Sequence, residues 1–181
     1  KKIAFLSDQG NDYFGRSDLY IYTLKDSSSK KIIQGVRTKP EWINDSLLVY
    51  SKRSEHNEDG SKFFNLYTYD LIEEKEQQLT EDMRLLSPVF NSRTNQIFAI
   101  NTFDGTSNII AGNFDFSSFK QLTDFNDGLQ IFSLAIKDSL LIYDAVVNHE
   151  RDLYFLNIYT KKEGKYKTEE YDLRNPTFSN G

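Results

Sequence analysis

Cysteine is absent from the 181 residues, which excludes disulfide frameworks and thiolate metal sites. A chain without cysteine suits any redox compartment. Histidine is scarce, with two copies, and proline occurs three times. The longest apolar runs are a few residues, far short of the roughly 20 needed for a membrane-spanning helix, so no membrane insertion is expected. An excess of basic residues is missing too. Lys and Arg number 22 against 27 Asp and Glu, a net charge of −5, and the cations are scattered rather than striped. That balance argues against nucleic acid or an anionic membrane as the main partner. No signal peptide is visible. The chain opens at Lys1-Lys2 directly into a strand pattern, without an initiator Met, so its start reads as processed or excerpted.

What is abundant is aromatic: 14 Phe and 11 Tyr. Aromatic and β-branched residues favour pleated, half-buried surfaces, so the composition leans to β structure. The sequence then repeats. Pro40, Pro88 and Pro176 each stand two residues before an aromatic, namely Trp42, Phe90 and Phe178. The prolines are 48 and 88 residues apart, and 88 is twice 44, which places a missing copy at Phe132. A second mark is an Asp or Asn opening an alternating strand at Asp18, Asn65, Asn108 and Asp152. A third is an apolar run before each of these, at 3–7, 47–51, 97–101 and 140–144. A fourth is a more polar strand at 30–34, 77–80, 120–123 and 168–171.

Four marks on one period define a four-stranded repeat, with strands A (Pro-x-aromatic), B (apolar), C (alternating) and D (polar). Continuous apolar runs suit strands buried on both faces, and alternation suits strands covered on one. The fold class is therefore all-β, a β-propeller of four blade-equivalents, each of four antiparallel strands. Approximate boundaries are 1–37, 38–84, 85–128 and 129–173, with 174–181 the inner strand of the next or the first blade. That strand either closes a four-bladed ring or belongs to a larger one, and the larger ring is favoured because four-bladed closure is uncommon. Turns fall at Asn44-Asp45, Asn91-Ser92, Lys137-Asp138 and Asn180-Gly181. No window carries a helical stripe, so almost no helix is expected.

Pro40-Glu41-Trp42, the Asn65-Leu66-Tyr67 strand and Gln78-Leu79-Thr80 together resemble the TolB-like (WD40-like) propeller repeat, and the resemblance runs over essentially the whole chain. Phe132 in place of proline, 168–171 in place of Gln-Leu-Thr, and Gly112 within a C strand depart from it. The resemblance implies a propeller fold and a periplasmic or extracellular location. It also implies two possible settings: a binding propeller, or the propeller domain of a prolyl-oligopeptidase or tricorn-type peptidase.

The B–C loops at 8–17, 52–63, 102–107 and 145–151 vary while everything around them repeats, and variable loops on a rigid scaffold are where binding resides. The candidate binding residues are Asp8, Asp12, Arg16, Arg53, His56, Asp104, His149 and Arg151. The bland alternative is that each is a solvated turn residue. His56 and His149 lie two repeats apart, across a channel, too far to share a metal without inward-reaching loops. Asn57 to Ser61 resembles a calcium loop but lacks its alternating ligands, so a turn is expected. Asp18, Asn65, Asn108 and Asp152 recur at one position, which points to a structural role in hydrogen-bonding a loop backbone. The C-strand tyrosines Tyr20, Tyr22, Tyr67, Tyr69 and Tyr154 are expected to pack. No Gly-x-Ser-x-Gly occurs, and Gly105-Thr106-Ser107 has no nearby His in sequence. No catalytic residue, metal or cofactor is assigned. The expected function is non-catalytic binding of a protein or peptide through the B–C loop face. The rival is a substrate-gating propeller of a larger serine peptidase, with a carbohydrate-active propeller as a third class.

Overall fold

The computed structural model describes residues 1–11, 16–55, 59–126, 128–147, 149–166 and 174–178. Among them there is no helix, and all sheet pairing is antiparallel. The chain divides into two compact units, Lys1–Leu86 and Ser87–Gly181.

In the N-terminal unit, β1 (Lys2–Ser7), β2 (Ser17–Thr23) and β3 (Ser28–Val36) form the B, C and D strands of the first repeat. The second repeat follows as β4 (Glu41–Trp42), β5 (Leu47–Arg53), β6 (Phe64–Asp70) and β7 (Lys75–Gln78). These seven strands join into one sheet rather than two separate four-stranded ones. The reason is local. The A strand β4 is two residues long and pairs β5 only at Val49 and Leu48, which leaves the other end of β5 open for Val36 of β3 to pair with Lys52. Strand β1 ends the sheet, and with no A strand beside it Ile3 stays half exposed.

In the C-terminal unit, β8 (Leu85–Asn91), β9 (Gln96–Asn101), β10 (Asn108–Asn113) and β11 (Phe119–Gln121) form one four-stranded sheet. A second is built from β12 (Gln130–Lys137), β13 (Leu140–Val147), β14 (Glu150–Asn157) and β15 (Glu163–Lys165). The fourth D strand was expected at 168–171, which lies outside the described residues. The strand that pairs with β14 on the side away from β13 is β15, earlier in the chain than the expected D strand. The described residues of the C-terminal A segment, 174–178, carry no strand.

Burial follows the expected gradient only in part, since the C strands β6 and β10 are buried over five consecutive residues rather than on one face and the B strand β1 has no buried residue. Strands β5 and β9 are buried over four consecutive residues, whereas β11 is exposed throughout. Aromatic side chains face each other across strands B and C at one register position: Phe5 on Tyr20, Tyr50 on Tyr67, and Tyr143 on Tyr154, with centroids 5.5, 6.2 and 5.6 Å apart. Such cross-strand stacks are what the recurring Leu-Tyr pair supplies. Around the second stack the N-terminal core gathers Leu19, Ile21, Val36, Leu48 and Tyr69, with Trp42 packed at its margin. Trp42 and Phe90 are half-buried, not fully enclosed as their inner-strand position suggested.

Two departures from the repeat have visible causes. A bulge between Ile131 and Ser133 turns Phe132 out to 45 % exposure, so it does not take the inner position of the other Pro-x-aromatic residues. Gly112 is required because a Cβ there would come within 2.6 Å of the Phe116 ring, which is itself buried.

Candidate binding site

Three of the four recurring residues, Asp18, Asn65 and Asn108, accept a backbone N–H at or beyond the end of strand D, whereas Asp152 is ion-paired with Lys165. Asp18 is 1 % exposed, and its Oδ1 accepts the N–H of Gly35 at 3.0 Å. Gly35 has φ +74°, a conformation a side chain would strain, and it sits where β3 bulges before turning toward Arg37. The next residues are held by one backbone and one side-chain bond: Arg37 N–H donates to the Ser51 carbonyl at 3.0 Å, and the Ser17 hydroxyl donates to the Val36 carbonyl at 2.7 Å. The ends of β2, β3, β5 and β6 are thereby fixed around a cavity of about 690 Å3.

The cavity belongs wholly to the N-terminal unit. Its described lining contains Arg16, Arg37, Lys52, Arg53 and Lys62, against a single acid, Glu55. Lys52 is already satisfied. Its Nζ lies 2.7 Å from Glu76 and 4.6 Å from the centre of the Tyr67 ring. Glu76 also accepts the Tyr50 hydroxyl at 2.5 Å, and burial, helped by that carboxylate, pushes the Tyr50 phenol well above its usual range. Arg16, Arg37, Arg53 and Lys62 have no ion-pair partner among the described residues, and all four are exposed. Arg53 lies over the Phe64 ring at 5.1 Å, which restrains its guanidinium without neutralising it. The site is a positively charged pocket in a chain of net negative charge.

Of the eight residues expected from sequence, two, Arg16 and Arg53, meet in this cavity. Asp12 and His56 lie outside the described residues. Asp8 is exposed beside the same loop, its carbonyl closing a turn with Asn11 N–H at 3.1 Å. Asp104 is a turn residue: its carboxylate accepts the Thr106 N–H at 3.0 Å, next to Gly105 at φ +89°.

The fourth loop is a correction. Strand β13 extends to Val147 and β14 starts at Glu150, both inside the expected loop, and His149 takes the left-handed turn conformation at φ +69°. Arg151 is therefore a strand residue, not a loop residue. Its Nε donates to Asp144 Oδ2 at 3.0 Å, its Nη2 reaches the same oxygen, and its guanidinium lies 4.2 Å from the Phe132 ring. Asp144 is fully buried and also accepts the Ser133 hydroxyl. The charged Asp144 interrupts the apolar run Leu140–Val147, which disguised the continuation of the strand. Conversely, Arg37 and Lys62 were missed. Arg37 belongs to a D–A connection, whose position on the same side as the B–C loops was the available signal.

No protein-family model matches the chain, and no curated protein sequence matches it. Solved structures do. A TolB structure from Agrobacterium tumefaciens superposes with a TM-score of 0.73 at 14 % identity, covering 91 % of this chain and 60 % of that one. TolB from Acinetobacter baumannii gives 0.73 at 16 % identity, covering 96 % of this chain and 42 % of that one. The fold is that of TolB propellers. The chain spans about half the length of these TolB structures. The tricorn protease also matches, with a TM-score of 0.66 at 12 % identity, over 83 % of this chain and 21 % of that one. At these identities the likeness is one of TolB-like architecture alone.

Proposed function

We propose that the four repeats are four propeller blades and that the chain is a non-catalytic binding module for a protein or peptide, met on the side where the B–C loops emerge. The observation that carries this reading is the cavity in the N-terminal unit. Its walls include Arg16, from the first B–C loop, and Arg53, the last residue of β5 where the second loop begins, and neither is neutralised by a described residue. Rigid strand ends below an adaptable polar rim are the arrangement of a recognition surface. A periplasmic or extracellular setting accompanies the reading through the resemblance of the repeat to TolB. The likeness to the tricorn protease favours a second reading, in which the same face gates substrate for a peptidase domain elsewhere in a longer polypeptide.

The test is a capture experiment in extracts of the source cell, using the wild-type chain, Arg16→Ala/Arg53→Ala, and a turn control, Lys25→Ala/Lys161→Ala/Lys162→Ala. The loop variant is expected to lose a protein that wild type and control both retain. Loss by the control alone, or retention by both variants, overturns the proposal.

A further inference from the structure

We infer that the cavity of the N-terminal unit is a seat for an acidic peptide segment, recognised through several separated carboxylates; this rests on the binding function proposed above and names its ligand class. Arg16, Arg37, Arg53 and Lys62 come from four different segments: the approach to β2, the exit from β3, the end of β5 and the approach to β6. None has an ion-pair partner among the described residues. Three of the four are arginines, whose planar fork binds a carboxylate in two parallel hydrogen bonds.

Two backbone donors of the lining are already engaged. Gly35 N–H is taken by Asp18 and Arg37 N–H by the Ser51 carbonyl, so recognition falls to side chains on separate walls. That distribution suits a ligand carrying its charges along a chain better than one compact anion. The volume, about 690 Å3, lies in the range of sites that enclose small ligands or a few side chains. The chain as a whole carries a net charge of −5, so a cluster of unpaired cations is a local exception that favours an acidic segment at this opening.

The experiment is fluorescence anisotropy with fluorescein-labelled hexaglutamate, hexaserine and hexalysine, on the wild-type chain, on Arg37→Glu/Lys62→Glu, and on Lys161→Glu/Lys162→Glu as a remote control. Circular dichroism verifies that each variant is folded. Hexaglutamate is expected to bind, and the other two peptides are not. Affinity should fall at least about tenfold in Arg37→Glu/Lys62→Glu, remain within about twofold in the control, and drop as salt rises from about 50 to 300 mM. Unlabelled trigalacturonate and inorganic phosphate are added as competitors. Hexaglutamate binding no better than hexaserine overturns the inference, as does an unchanged affinity in the cavity variant. So does displacement by phosphate or by trigalacturonate at concentrations where unlabelled hexaglutamate fails to displace, since those outcomes assign the pocket to a compact anion or an acidic saccharide. If hexaglutamate fails while Arg16→Ala/Arg53→Ala still loses its captured partner, the binding function stands and only the acidic ligand class falls.

Discussion

Asn65 and Asn108, 43 residues apart in sequence, make the same pair of hydrogen bonds in successive repeats. The Asn65 carboxamide oxygen accepts from the Thr80 hydroxyl at 3.1 Å and from the Met83 N–H at 3.2 Å. That of Asn108 accepts from the Thr123 hydroxyl at 3.0 Å and from the Phe125 N–H at 2.7 Å. Each Thr hydroxyl in turn accepts the N–H of the residue after its Asn, Leu66 or Ile109, at 2.9 Å. The recurring Asn at the head of strand C and the Gln-Leu-Thr segment are two halves of one buried clasp between strands C and D.

Thr80→Val keeps the shape and removes the hydroxyl, leaving the Leu66 N–H without its acceptor and Asn65 with one donor fewer. Urea unfolding is expected to show a loss of about 1–3 kcal/mol. Thr23→Val, at the partly buried end of β2, serves as the comparison and should cost less than about 1 kcal/mol.

Arg151→Ala should destabilise the chain by about 3 kcal/mol, because the buried Asp144 carboxylate loses its only ion-pair partner among the described residues. Replacing both, as Asp144→Asn/Arg151→Met, should recover most of that loss. A melting temperature unchanged by Arg151→Ala would return this residue to the pool of free binding arginines.

Burial in β4 raises the Glu41 carboxyl above its usual value, an effect that Lys39 partly offsets. A folded-state pKa above the unfolded one means that the associated stability is fully present below the unfolded value, about 4.5, and is lost as pH rises through the folded value. Glu41→Gln should therefore raise the melting temperature at pH 7 and leave the difference from wild type smallest near pH 4. Equal gains at both pH values would place the cause outside this titration.

Trp42→Ala should cost about 2 kcal/mol, below the roughly 3–5 kcal/mol of a fully enclosed Trp or Phe, because the indole packs at the edge of the core and is half-buried. Phe132→Ala, with the ring 45 % exposed, should cost less than Trp42→Ala when the two are compared in one urea series.

The strand order and the clasp were legible because each depends on a local pattern. Apolar runs mark B, alternation marks C, and a polar Asp or Asn recurs where a loop backbone needs an acceptor. Sheet boundaries were not legible: whether β3 meets β5 hangs on the two-residue length of β4, and nothing in Pro40-Glu41-Trp42 sets that length. The site was half legible. Loop variability brought out Arg16 and Arg53, while Arg151 looked equally available until its burial partner Asp144, seven residues earlier and across the hairpin, came into view. Phe132 kept its place in the repeat but lost its orientation, since a single-residue bulge reverses a side chain without changing the spacing.

The face that meets a partner is located most directly by photo-crosslinking in source-cell extract, with a benzophenone side chain placed at Arg37 in the cavity wall or at Lys161 in the C–D turn. Crosslinks to a second protein from position 37, absent from position 161, are the predicted result; crosslinks from position 161 alone would contradict it.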